Sequence, residues 1–236
     1  MKKHFRYPRT TCASIVSVLA MMAARSVSAA GSAQSALARI EPYIAASQQQ
    51  EIALARSAAP PSISMHATVM VLGAHGYVTA VKGTNGFVCL VQRSWDNEQS
   101  VKRARFWNPK IRSAFCYNSA GAQSILPEYL LKTQWALAGA SKAEIGDRDK
   151  AAWAAGKVQE PTAGAMCYMM SKHSWGVGGN PGPWRPHLMF YFPARQAPDW
   201  GANLGGTPVI FTADDHTAVF VVLVPVWSDG SPAPSF

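Results

Sequence analysis

From His66 onward the apolar residues of this chain fall into short runs, at 66–72, 77–82, 87–92, 165–171, 187–192, 209–213 and 218–226, each set off by Gly, Pro, Asn, Asp or Ser. Runs of that length, rich in Val, Phe, Tyr and Thr, read as β-strands. Between the third and the fourth lie two helical patterns. One places Ile125, Leu130, Leu131 and Trp135 on a helix opened near Pro127, and the other starts at Ser141-Lys142-Ala143-Glu144, the spacing of a capping box, and continues through Trp153 to Lys157. Strands, then helices, then strands imply an α+β fold, with an antiparallel or mixed sheet of about six or seven strands covered by the 124–157 helices.

Local detail follows from turn chemistry. Asn85-Gly86 between two apolar runs is a hairpin signal, because both residues tolerate the positive φ of a tight turn. With Gly73-Ala74-His75-Gly76 as a second turn, the first three strands read as a meander. The glycines feed strands, not a helix, so they do not form a phosphate-binding loop. Residues 93–118 read as a long irregular connection. The nearly continuous apolar run 218–224 reads as a central strand buried on both faces. Ahead of the sheet, Leu37, Ile40 and Ile44 mark an amphipathic helix within 32–58, restarted near Pro42 and packed on the domain edge. Residues 31–62 are thus helix and linker, 63–227 the α+β domain, and 228–236, rich in Pro and Ser, a loose tail.

Residues 1–30 read as a cleaved signal peptide. Lys2, Lys3, Arg6 and Arg9 form the basic region, 12–24 the short apolar region, and Val27-Ser28-Ala29 or Ser28-Ala29-Ala30 supplies the small residues for a cut after Ala29 or Ala30. An apolar stretch this short falls well below the ~20 residues needed to span a bilayer. The expected location is therefore periplasmic or secreted, with no transmembrane segment after cleavage. Five of the 22 basic residues and none of the 13 acidic ones lie in the leader, so the mature chain has 17 against 13 and a net charge of +4 in place of +9. That change removes most of the case for a nucleic-acid partner. The basic cluster Lys102, Arg103, Arg105, Lys110 and Arg112 reads as a solvated loop, with an anionic surface or ligand as the second reading.

Chemistry concentrates between Gly164 and Pro193, which hold Cys167, His173 and His187. Cys167 activated by either histidine would be a nucleophile, although a cysteine inside an apolar strand more often packs as a small hydrophobe. His173 and His187 are also the candidate metal ligands, with His66, His75, His216, Asp199, Asp214 or Asp215 as co-ligands. The chain has neither a His-Glu-x-x-His nor a Cys-x-x-Cys spacing, so no cofactor is expected and a metal is the secondary reading. Met166, Met169, Met170 and His173 suit copper(I) by softness, but strand alternation points Met169 away from the other two methionines. The third reading is a binding surface. Trp95, Trp107, Trp175, Trp184, Trp200 and Trp227 fall in or beside loops, and aromatic faces there can stack on sugar rings or apolar ligands. Trp175, Trp184, Arg185, His187 and Trp200 are the expected ligand-binding set.

The phrases GTNGFVCLVQRSW, FWNPKIR, GAMCYMMSK, WRPHLMFYFP and DWGANL resemble a group of exported bacterial proteins of unknown function. The resemblance covers residues 63–227 and implies a specific fold while supplying no catalytic residues. The expected role is binding of a small or cell-envelope ligand, and the alternative is a hydrolase using His187 and His173 with Cys167 or a metal. Three cysteines remain after the leader. Cys89 with Cys116 is the preferred disulfide, with Cys89–Cys167 and Cys116–Cys167 open alternatives. Thiol titration of the denatured, unreduced mature chain is expected to find one free cysteine; three would exclude a bridge.

Overall fold

The computed structural model describes residues 37, 39–96, 106–175, 185–202, 204, 210–212 and 215–234. Eight strands form one mixed sheet: β1 (Thr68–Gly73), β2 (Gly76–Val81), β3 (Val88–Gln92), β4 (Ser113–Tyr117), β5 (Met166–Met169), β6 (His187–Pro193), β7 (Ile210–Thr212) and β8 (Thr217–Leu223). Their order is β2-β1-β3-β4-β5-β6-β8-β7. The helices are α1 (Gln48–Arg56), α2 (Pro61–Ser64), α3 (Ser119–Ser124), α4 (Leu126–Leu137) and α5 (Lys142–Ala154). The α+β class and its covering helices agree with the sequence reading; the strand beyond that count is β4, in the segment read as irregular.

The hairpin expectation fails at Asn85-Gly86. Strands β1 and β2 do form an antiparallel hairpin, but β3 joins the free edge of β1 in parallel, pairing Thr68 with Val88 and Val69 with Cys89. The 82–87 segment therefore passes under the start of β1. Gly83 N donates to Thr68 Oγ1 at 3.0 Å, Thr84 N to His66 O at 2.8 Å, and Asn85 Nδ2 to Ile63 O at 2.8 Å. The crossing is so close that a Cβ on Gly83 would lie 2.1 Å from Thr68 N. Glycine is required here by backbone approach.

Strand β4 runs antiparallel to β3 along its whole length, with all five of its residues buried. Ala114 and Cys116 point to one layer and Phe115 and Tyr117 to the other. Toward the first, α1 brings Ala55, with Ala58 and Ala59 just after it, against Val69, Cys89, Val91, Ala114 and Cys116. Small side chains on both partners let this helix sit close on the sheet face, not on the domain edge. Toward the second, α3 and α4 bring Ile125 and Leu126 onto Leu90, Phe115, Tyr117, Cys167, Met169, Tyr191 and Val219. Cys89 and Cys116 are direct cross-strand partners and are joined by a disulfide.

Buried ion pairs tie the layers together. Arg93, at the end of β3, reaches Glu51 of α1 at 2.6 Å and donates through Nε to Tyr43 O at 2.9 Å. Lys132 of α4 pairs with Glu128 on its own helix and with Asp149 of α5 at 3.2 Å. At the head of α5, Ser141 and Glu144 form the capping box read from the sequence. Trp95 closes one end of the sheet, packing 4.6 Å from Tyr43 and donating to Thr133 Oγ1 at 3.1 Å.

Strand β8 is not the central strand. It lies between β6 and the short edge strand β7, and from Phe220 to Leu223 it is only partly covered. The segment read as a loose tail is hydrogen-bonded back: Ser228 N to Met170 O at 3.0 Å, Ala233 N to Pro225 O at 2.8 Å, and Lys172 with Asp229 at 2.5 Å. Among the described residues no helix is long and apolar enough to cross a membrane.

Two glycines separate close approach from helix propensity. Gly83→Ala is expected to cost about 2 kcal/mol or more in urea unfolding, since backbone must move. Gly146→Ala, in α5 with open space around the added Cβ, is expected to stabilise by about 0.5–1 kcal/mol.

Candidate functional site

The residues singled out in the sequence divide between the two ends of β6. His187 opens that strand opposite Met169 and is buried, its Nδ1 lying 2.7 Å from the Arg185 carbonyl. With Nδ1–H donating to that carbonyl, burial lowers the imidazole pKa and keeps the ring neutral. Trp175 lies at the same end, 41 % exposed, its backbone paired with that of Arg112. His173 is exposed in the turn after β5. Trp184, Asp214, Lys102, Arg103 and Arg105 fall outside the described residues.

Cys167 is buried beside β6, its Sγ 3.2 Å from the Tyr191 hydroxyl. Burial pushes its thiol up to about 12. It therefore stays a protonated thiol at neutral pH and belongs to the packed core with Met169. The hydroxyls of Tyr117 and Tyr191 are raised by the same burial. His216 stacks on Trp153 with ring centroids 4.0 Å apart. Among the described residues no three His, Cys, Asp or Glu side chains converge to hold a metal ion.

Trp200 lies at the opposite end. Seven residues of β6 at ~3.3 Å each place it on the order of 20 Å from the His187 end, so Trp200 does not share one small site with His187 and Trp175. Around Trp200 a different one is built. A groove of about 370 Å³ is lined by Pro161, Thr162, Ala163, Gly164, Ala165, Phe190, Tyr191, Phe192, Pro193, Gln196 and Trp200. It exists because β5 is shorter than β6: the chain enters β5 from a turn at Gly164, whose φ is 78°, and the far part of β6 has no β5 neighbour. Phe190 and Phe192 share one strand face. The 3-10 helix Ala194–Trp200 then turns back so that Trp200 stacks on Phe192, with centroids 4.8 Å apart and planes at 21°. Trp200 remains 50 % exposed.

Both lips are fixed. Asn118 caps α3 by accepting from Gly121 N at 2.8 Å, accepts from Met166 N at 3.1 Å, and donates to Gly164 O at 2.8 Å. Thr162 N donates to Ser124 Oγ at 3.2 Å. Across the groove, Ala194 N donates to His216 O at 2.8 Å, and an exposed ion pair between Arg195 and Glu160 joins the lips. The site is preformed, and its volume falls within the range of small-molecule sites, about 300–1,000 Å³.

Sequence reasoning found Trp200 and missed Phe190, Phe192, Gln196 and Pro161. The readable signal was the alternation Phe190-x-Phe192 followed by a tryptophan, which places aromatics on one strand face beside a loop ring. Of the other loop tryptophans, Trp95 and Trp227 are buried and Trp107 half-buried, capping the ends of the sheet. No protein-family model matches this chain, nor does any curated protein or any solved structure.

The Cys167 environment has a pH signature. A thiol whose value rises on folding adds stability that is fully present below its ordinary value near 9 and is lost as the pH rises from there through about 12. Urea midpoints are expected to fall between pH 8 and pH 10, the slope approaching about 1.4 kcal/mol per unit. Cys167→Ala should flatten this slope while lowering the midpoint at pH 7.

Proposed function

We propose that this chain is an exported protein of the cell envelope, periplasmic or secreted, that binds a small ligand in the aromatic groove beside Trp200. The observation that carries the reading is the preformed groove itself, with one open indole face between two lips held by hydrogen bonds. Export is supported by the leader-like pattern of residues 1–30 and by the Cys89–Cys116 disulfide, which suits an oxidising compartment. The hydrolase alternative has less support. The Cys167 thiol is buried and protonated, and the described contacts of His187 Nδ1 are with main chain.

In the binding reading Trp200, Phe190 and Phe192 supply apolar area and Gln196 supplies polar orientation, while the 161–165 lip limits ligand size. Titration with soluble envelope glycan fragments, neutral and charged, and with a small-molecule panel, followed by tryptophan fluorescence, tests it. At least one is expected to shift or quench the emission, with Trp200→Ala weakening binding about tenfold, the scale of one good aromatic contact. Saturable binding unchanged in Trp200→Ala would place the ligand elsewhere and overturn the assignment.

A further inference from the structure

We infer that the groove selects an uncharged sugar ring bearing an acetamido group, in preference to an acidic glycan or an acyl chain. This rests on the groove being the binding site, and three features of its lining carry it. Its walls are flat: Trp200 lies nearly parallel on Phe192, and its exposed face is a platform on which the C–H face of a pyranose can pack. Its polar groups are neutral and two-sided. The Gln196 amide offers both donors and an acceptor, the complement of an acetamido N–H and C=O, while Phe190 and Pro161 provide apolar surface for the methyl group.

The third feature is charge. Among the described residues none that lines the groove has an ionisable side chain other than the buried phenol of Tyr191. Of the charged residues adjoining the lining in sequence, Arg195 and Glu160 are paired with each other, and Asp199, exposed beside Trp200, adds a negative charge that repels an acidic ligand. A carboxylate or sulfate placed between Phe190 and Trp200 would lose hydration and meet no counter-charge, which disfavours it strongly. An acyl chain meets the opposite difficulty. It would cover the aromatic rings but offer no partner to the Gln196 amide, which lines the groove.

The test uses the mature chain with three probes: tri-N-acetylchitotriose (neutral, acetylated), a hyaluronan tetrasaccharide (acetylated but acidic) and dodecanol (apolar). Calorimetry and Trp200-dependent fluorescence are read together, with thermal melts confirming that variants fold. The expected result is saturable binding of tri-N-acetylchitotriose, weakened about tenfold in Trp200→Ala and about threefold or more in Gln196→Ala, with hyaluronan at least about tenfold weaker than the neutral sugar. Binding of dodecanol or hyaluronan through Trp200, with the neutral sugar silent, overturns the ligand class and leaves the groove as the binding site. If no probe and no envelope fragment perturbs Trp200, both the ligand class and the groove assignment fall.

Discussion

The structure depends on a strand that no water reaches. All of β4 is buried, so each of its faces must be covered and each of its edges paired. The consequences run outward from there. Ala114 and Cys116 accept the alanine-rich end of α1, Phe115 and Tyr117 accept α3 and α4, and the disulfide to Cys89 locks the β3 edge. The same requirement draws in the buried Arg93–Glu51 pair, because a helix held that close over the sheet end leaves no solvent for either charge. Such a pair adds little over an apolar replacement, but losing one partner would strand a buried charge.

The groove is a by-product of the same arrangement. Strand β5 needs only enough length to pair with β4 and the near part of β6, and where it gives way to the 161–165 segment, β6 continues toward Trp200 with β8 as its strand partner. Asn118, which caps the helix covering β4, also holds Met166 and Gly164. Packing of the core and shape of the site are therefore joined through one side chain. The reactive-looking residues take structural parts instead. Cys167 fills a tyrosine-rich core, and the Nδ1 of His187 is anchored to main chain.

Legibility in the sequence followed the range of the interaction. The capping box at Ser141 and Glu144 depends on four successive residues and was readable as such. The helices around 126–137 and 142–154, and the strands at 68–73, 76–81 and 187–193, follow from periodicity and punctuation. The Asn85-Gly86 signal failed because a turn dipeptide specifies a local bend, whereas strand pairing is decided by which edge is free, and β1 had one. Strand β4 was invisible for a related reason. Buried on both faces, it alternates small with large residues in place of apolar with polar, and its buried Ser113 follows Arg112, so neither usual period appears. The groove was only partly legible, since its aromatics are separated in sequence from the 161–165 lip.

The sequence by itself determined the α+β class, the positions of most strands and helices, and a preferred partner for Cys89. These rest on interactions within one or two turns of chain, or on composition. Only the tertiary structure decided which strand is central, that β3 runs parallel to β1, and that Trp200 borders a groove with Phe190 and Phe192. Those are questions of which surfaces exclude water from which, and burial is a property of the assembled layers that no single segment carries.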